Sequence, residues 1–239
     1  MLIHDFNTRK AVSEENKLIL LSHIRESGFV TAELASNLLR KSLSCAYKLL
    51  NKFEAKGLLR KHFCSELRVS LWGLTDYGIL ISWDKEETTK PRVAFQPSKI
   101  SPIMVMHEIQ LQQTKIQALR VDGWKDWVFG AHISGKLEKR PDALVTSPDG
   151  LRFACEVERF SKSRKRLSTI ISIFLRAIKR GDYDYIAYIA PDEDLAFRLK
   201  KLFRSITHVP VSGQRVQLTE KHYEKFLFYS LESWPKQKI

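Results

Sequence analysis

The chain has 239 residues and carries 40 Lys and Arg against 27 Asp and Glu, a formal net charge of +13. That excess predicts a polyanionic partner, and nucleic acid fits better than a membrane face. No stretch approaches the roughly 18 apolar residues of a spanning helix, and the N-terminus lacks the apolar core of a signal peptide, so the expected setting is cytoplasmic with no membrane insertion.

Cys45, Cys64 and Cys155 are too widely spaced for a disulfide framework or a zinc site and read as small apolar residues. Two halves of different character predict two domains, 1–84 and 101–239, joined by a charged, Pro-containing linker at 85–100. In the first half Ser13 or Glu14 opens a helix through Ile24, with Leu18, Leu20, Leu21 and Ile24 as its apolar stripe. Thr31 caps a second helix that stops near Arg40. Ser42 or Ser44 caps a third, which closes at Gly57 and buries Ala46, Leu49, Leu50 and Phe53. Its other side carries Lys41, Ser44, Tyr47, Lys48, Asn51 and Lys52, a basic, hydrogen-bonding face. Leu58–Phe63 and Leu67–Trp72 read as strands, and Leu74-Thr75-Asp76-Tyr77-Gly78 as a capped helix start.

In the second half Ser101-Pro102 opens a helix to about Arg120 that carries Glu108 among apolar neighbours. Strand character follows at Trp124–Ala131, Arg140–Thr146 and Leu151–Arg159, the last two joined by the turn Ser147-Pro148-Asp149-Gly150. Alternation puts Glu156 and Glu158 on one side of the third strand, and counting back across the turn sets Asp142 opposite Cys155 or Glu156. Carboxylates so close resist joint ionisation, a conflict that Mg²⁺ or Mn²⁺ would relieve through hard oxygen ligands. A helix from about Ser163 to Arg180 comes next, with Lys162, Arg164, Lys165 and Arg166 crowding an N-terminus whose dipole disfavours cations; a phosphate would compensate them. The strand Tyr185–Ala190, a charged helix at Asp194–Ser205 and an aromatic helix around Tyr223–Tyr229 complete the expected elements.

Two family resemblances follow from these residues. The first-half order, with its KGLL and LWGLTDYG runs, resembles the winged helix-turn-helix family. This implies that the third helix enters the major groove, with lysines on phosphates and Ser44, Tyr47 and Asn51 at base edges. In the second half Pro141-Asp142, thirteen intervening residues and Glu156-Val157-Glu158 resemble the PD-(D/E)XK nuclease superfamily. The implied fold class is α+β, a winged helix followed by a restriction-endonuclease-like α/β domain. Asp142, Glu156 and Glu158 are then metal and catalytic positions, joined by Glu108 as the acid of the first core helix. Glu158 stands where the motif has lysine, so Lys162 or Lys165 would supply the missing ammonium, while Arg164 and Arg166 meet DNA.

Pro148-Asp149 and Pro191-Asp192 show how easily the short motif recurs by chance, and the bland alternative makes Glu156 and Glu158 the solvated face of an edge strand. The two-domain combination is similar to the MobC relaxases of mobilisable plasmids and the related replication-relaxation proteins. Its anchors are His107-Glu108, Arg140-Pro141-Asp142 and Glu156-Val157-Glu158-Arg159. The resemblance implies metal-dependent nicking of one DNA strand at a plasmid transfer origin, with an accessory mobilisation protein and a coupling protein as partners and His107 as an orienting group. Two alternatives stay open: a non-catalytic replication or transcription regulator with a degenerate nuclease domain, and a restriction or repair endonuclease. The histidines form no His-x-His pair, which excludes a three-histidine, tyrosine-nucleophile relaxase, and no P-loop or nucleophile elbow is present.

Overall fold

The computed structural model describes residues 6–83 and 93–236 and shows a mixed α and β protein. It divides into two compact units, Met1–Gln112 and Gln113–Ile239.

In the first unit, α1 (Phe6–Ser27) starts earlier than its cap signals predict and buries Leu20, Leu21 and Ile24, while Leu18 is exposed. Next come α2 (Ala32–Leu39) and α3 (Leu43–Ala55), each begun by a hydroxyl that satisfies an orphan N–H: Thr31 accepts from Leu34, and Ser42, the cap chosen from the two candidates, accepts from Cys45. Arg40, at φ 52°, makes the tight joint between them. Strands β1 (Leu59–Cys64) and β2 (Val69–Leu74) pair antiparallel along their length, and Val30 adds a bridge to Trp72. A Thr75 cap then opens α4 (Asp76–Ser82). Cys64 and Cys155 are buried, as small apolar residues should be, but Cys45 is exposed on α3.

Residues 85–92 of the expected linker lie outside the described residues. The rest of that segment packs onto the first unit, because Phe95 is buried against Phe29 and Leu71 and its N–H bonds Leu74 O at 2.8 Å. A β-carbon at Gly73 would come within 2.2 Å of the Phe95 ring, so this contact requires glycine. Helix α5 (Pro102–Ala118) begins in the first unit and ends in the second.

The second unit runs β3 (Lys125–Phe129), β4 (Ala143–Thr146), β5 (Arg152–Val157), α6 (Arg164–Arg180), β6 (Tyr185–Ala190) and α7 (Glu193–Arg204). A hairpin of β7 (His208–Val211) and β8 (Gln214–Gln217) follows, then α8 (Glu220–Tyr223) and β9 (Phe226–Ser230). The main sheet has the order β3-β4-β5-β6-β9, antiparallel through β5 and parallel from β5 to β9. The aromatic segment expected as a helix is thus a single turn followed by a strand. Phe226 and Phe228 alternate onto one face, where they meet Phe203 and Tyr188, a placement that strand period gives and helical period would not.

On that face α6 and α7 set Leu167, Ile171, Phe174, Leu195 and Leu199 against Ala154, Ile186 and Tyr188. The other face holds an aromatic cluster in which Trp124 meets Phe153 and Trp234 meets Tyr229. Ser163 caps α6, Gly181 ends it at φ 81°, and Asp192 caps α7, so the chance Pro191-Asp192 pair has a structural task. Among the described residues no helix is long and apolar enough to cross a membrane.

Candidate active site on the central strand

β5 is the middle strand of five rather than an edge strand, and Glu156 and Glu158 are only 3% and 5% exposed. That removes the solvated-edge alternative. Strand alternation turns Glu156 toward α6, level with Tyr188 on β6. A carboxylate so placed needs a partner, since an uncompensated buried charge costs several kcal/mol. Two lysines supply one each. Lys139, from the stretch between β3 and β4, forms an ion pair with Glu156 and lies 4.7 Å from the centre of the Phe174 ring. Lys162, just ahead of α6, forms an ion pair with Glu158.

Asp142 reaches the same strand from the foot of β4. Its Oδ2 accepts the Val157 N–H at 2.8 Å, and its own N–H donates to Cys155 O at 3.0 Å. Gly130 N–H donates to Asp142 O at 2.7 Å, and a β-carbon on Gly130 would stand 2.3 Å from Pro141 O. Only glycine lets the end of β3 come this close to Asp142. Nearby, Arg176 of α6 grips Glu138 with two guanidinium nitrogens, which anchors the chain next to Lys139.

The electrostatics follow from burial. Desolvation, reinforced by Asp142, pushes the Glu156 carboxyl up to about 7, against the pull of Lys139 and then Lys162. Burial lowers the Lys162 ammonium below its ordinary range, with Glu156 opposing. Tyr183 and Tyr188 are held above the usual phenol range, first by burial and then by the Glu156 charge. Both side chains are packed in the core, and their hydroxyls are buried with no hydrogen-bond partner among the described residues.

The fold therefore brings Asp142, Glu156, Glu158 and Lys162 to one end of β5. Lys165 is exposed elsewhere, lining a cleft of about 410 Å³ with Arg164, Ser168, His208 and Arg215. Arg166 is exposed, and the Arg164 guanidinium donates to Ser205 O. His107 and Glu108 are half-buried on the part of α5 that belongs to the first unit. Among the described residues no three His, Cys, Asp or Glu side chains gather at a point suited to a metal ion. Of the acids in the second unit, Glu156 and Glu158 are each held by a lysine. Lys139 was not legible as a site residue; its only signal is a position three residues ahead of Asp142.

In the first unit, Lys41, Ser44, Tyr47, Lys48, Asn51 and Lys52 are all exposed, while Ala46, Leu50 and Phe53 are buried on the other side of α3 and Leu49 is half-buried. The Tyr47 ring meets Trp72 edge-on at 5.8 Å, and Lys61 lies 5.1 Å over the same indole, so α3, β1 and β2 contribute to one patch.

No family model matches the chain, and no curated protein matches it. Among solved structures, a mutant of Lactococcus lactis ZitR in its apo form is similar in part, at 20% identity over 32% of this chain and 57% of that one, with a TM-score of 0.25. The chain thus spans little more than half of that structure's length, and a similarity this low carries no argument about fold or function.

Proposed function

We propose that the chain binds DNA and cuts one strand of it in a reaction that depends on a divalent cation. It would join a winged helix-turn-helix in the first unit to a restriction-endonuclease-like site in the second, in keeping with the resemblance to MobC relaxases. The supporting observation is the burial of Glu156 and Glu158 on the central strand, each held by a lysine and flanked by Asp142. Stability alone is poorly served by such pairs, because apolar replacements are often neutral or stabilising. Perturbed carboxylates cluster instead where chemistry is done.

The donor set suits the ion: three carboxylates offer hard oxygens only, and Glu156, with its carboxyl raised to about 7, would gain from an added cation. Asp142, Glu156 and Glu158 would hold Mg²⁺ or Mn²⁺, which supplies an acidified water and a charge against the scissile phosphate when bound. Lys162, beside Glu158, takes the place of the motif lysine and donates hydrogen bonds to the attacking water or a phosphate oxygen. Lys165, Arg164 and Arg166 on the exposed first turn of α6 contact the DNA backbone. On α3 the lysines fix register on phosphates while Ser44, Tyr47 and Asn51 face base edges. Glu108, His107, the transfer origin and the accessory and coupling proteins enter through the resemblance alone.

A second reading, DNA binding without cleavage, is favoured by the lysines that already neutralise two of the acids and by glutamate at the motif-lysine position. Supercoiled plasmid carrying the target region, incubated with Mg²⁺ or Mn²⁺, separates the two. Open circles should form, and should disappear in chelator and in the Asp142→Asn and Glu156→Gln variants. Sequence-specific binding with no nick in either ion would establish the second reading instead, and linear product would point to a restriction-type enzyme.

A further inference from the structure

The two lysines reach their acids from different kinds of backbone. Lys162 abuts α6, whereas Lys139 sits in the irregular stretch between β3 and β4. That stretch contains exposed Gly135 at φ 93°, where an added β-carbon would meet nothing within 4 Å. A quarter of the Lys139 side chain reaches solvent, and its ammonium is shared between the Glu156 carboxylate and the face of Phe174. A flexible four-carbon stem with one end open to water can withdraw while the core stays packed.

We propose that Lys139 is a tethered counter-ion, which occupies the Glu156 carboxylate until a divalent cation displaces it. This rests on the metal-dependent reading above and deepens it. Glu156 is buried on the strand to which Asp142 is hydrogen-bonded, and Lys139 compensates its charge from within the chain.

The test uses the full chain and Mn²⁺ alone as probe, read by titration calorimetry and thermal melting. Lys139→Met keeps the stem over Phe174 and removes the charge; it should bind Mn²⁺ at least about tenfold more tightly than wild type. It should also melt lower than wild type without the ion and approach it at saturation. Lys139→Arg, whose guanidinium can grip the carboxylate with two parallel hydrogen bonds, should bind Mn²⁺ more weakly. Equal or weaker binding by Lys139→Met, with wild type still binding, overturns the counter-ion and leaves the metal reading standing. Absence of Mn²⁺ binding in all three proteins overturns both. Should Lys139→Met fail to fold, Lys139→Arg decides, and an affinity equal to wild type overturns the inference.

Discussion

Glu156 is an acid in a place that disfavours its charge, and that conflict can be measured. Its carboxyl titrates near 7 in the folded chain and near the ordinary 4.5 when unfolded. Between those values the folded state keeps a proton that the unfolded state has lost, so stability falls as pH rises through the window and levels above it. The cost reaches about 3 kcal/mol at most. Metal-free wild type should therefore lose melting temperature between about pH 5 and about pH 8, and Glu156→Gln should lose much less over the same range. Parallel profiles would show that burial does not raise this carboxyl. The shared side of Glu156 and Glu158 was legible in the sequence from strand alternation. Their burial was not, because it depends on β6 lying beside β5, and the pair Lys139–Glu156 spans seventeen residues with nothing local to mark it.

Elements whose ends are set by local hydrogen bonds were the most legible. Thr31, Thr75 and Ser163 each cap the helix that their position in the sequence predicts. Strand β9 was not legible, because its parallel pairing joins Ile186 to Phe226 and a short aromatic run leaves the period ambiguous. At this scale Gly130→Ala should push the Pro141-Asp142 segment away from β3 and cost about 1–3 kcal/mol, with weaker Mn²⁺ binding. Melting and titration unchanged from wild type would mean that this close approach does not set the site. For α3, Lys48→Ala should weaken binding to any duplex and lower the salt slope by about 0.9. Asn51→Ala should leave the slope and relax sequence preference instead. Fluorescence anisotropy across salt concentrations reads both, and a null result in both variants would move the DNA contact off this face.

Over the whole molecule, the charge of +13 favours electrostatic steering toward a polyanion whatever the chemistry at β5. The change of character along the chain signalled two units, but their boundary was hidden, since Phe95 is one aromatic residue in a segment that otherwise reads as linker. On the proposed reading binding and cutting belong to different units, which would make them separable. The most direct measurement sets DNA affinity beside nicking rate in Mn²⁺ for wild type and Glu156→Gln. Affinity should stay within about twofold while nicking falls by at least about a thousandfold. Nicking that survives in Glu156→Gln, or wild type that binds DNA and never nicks it, would contradict a cutting site on the central strand.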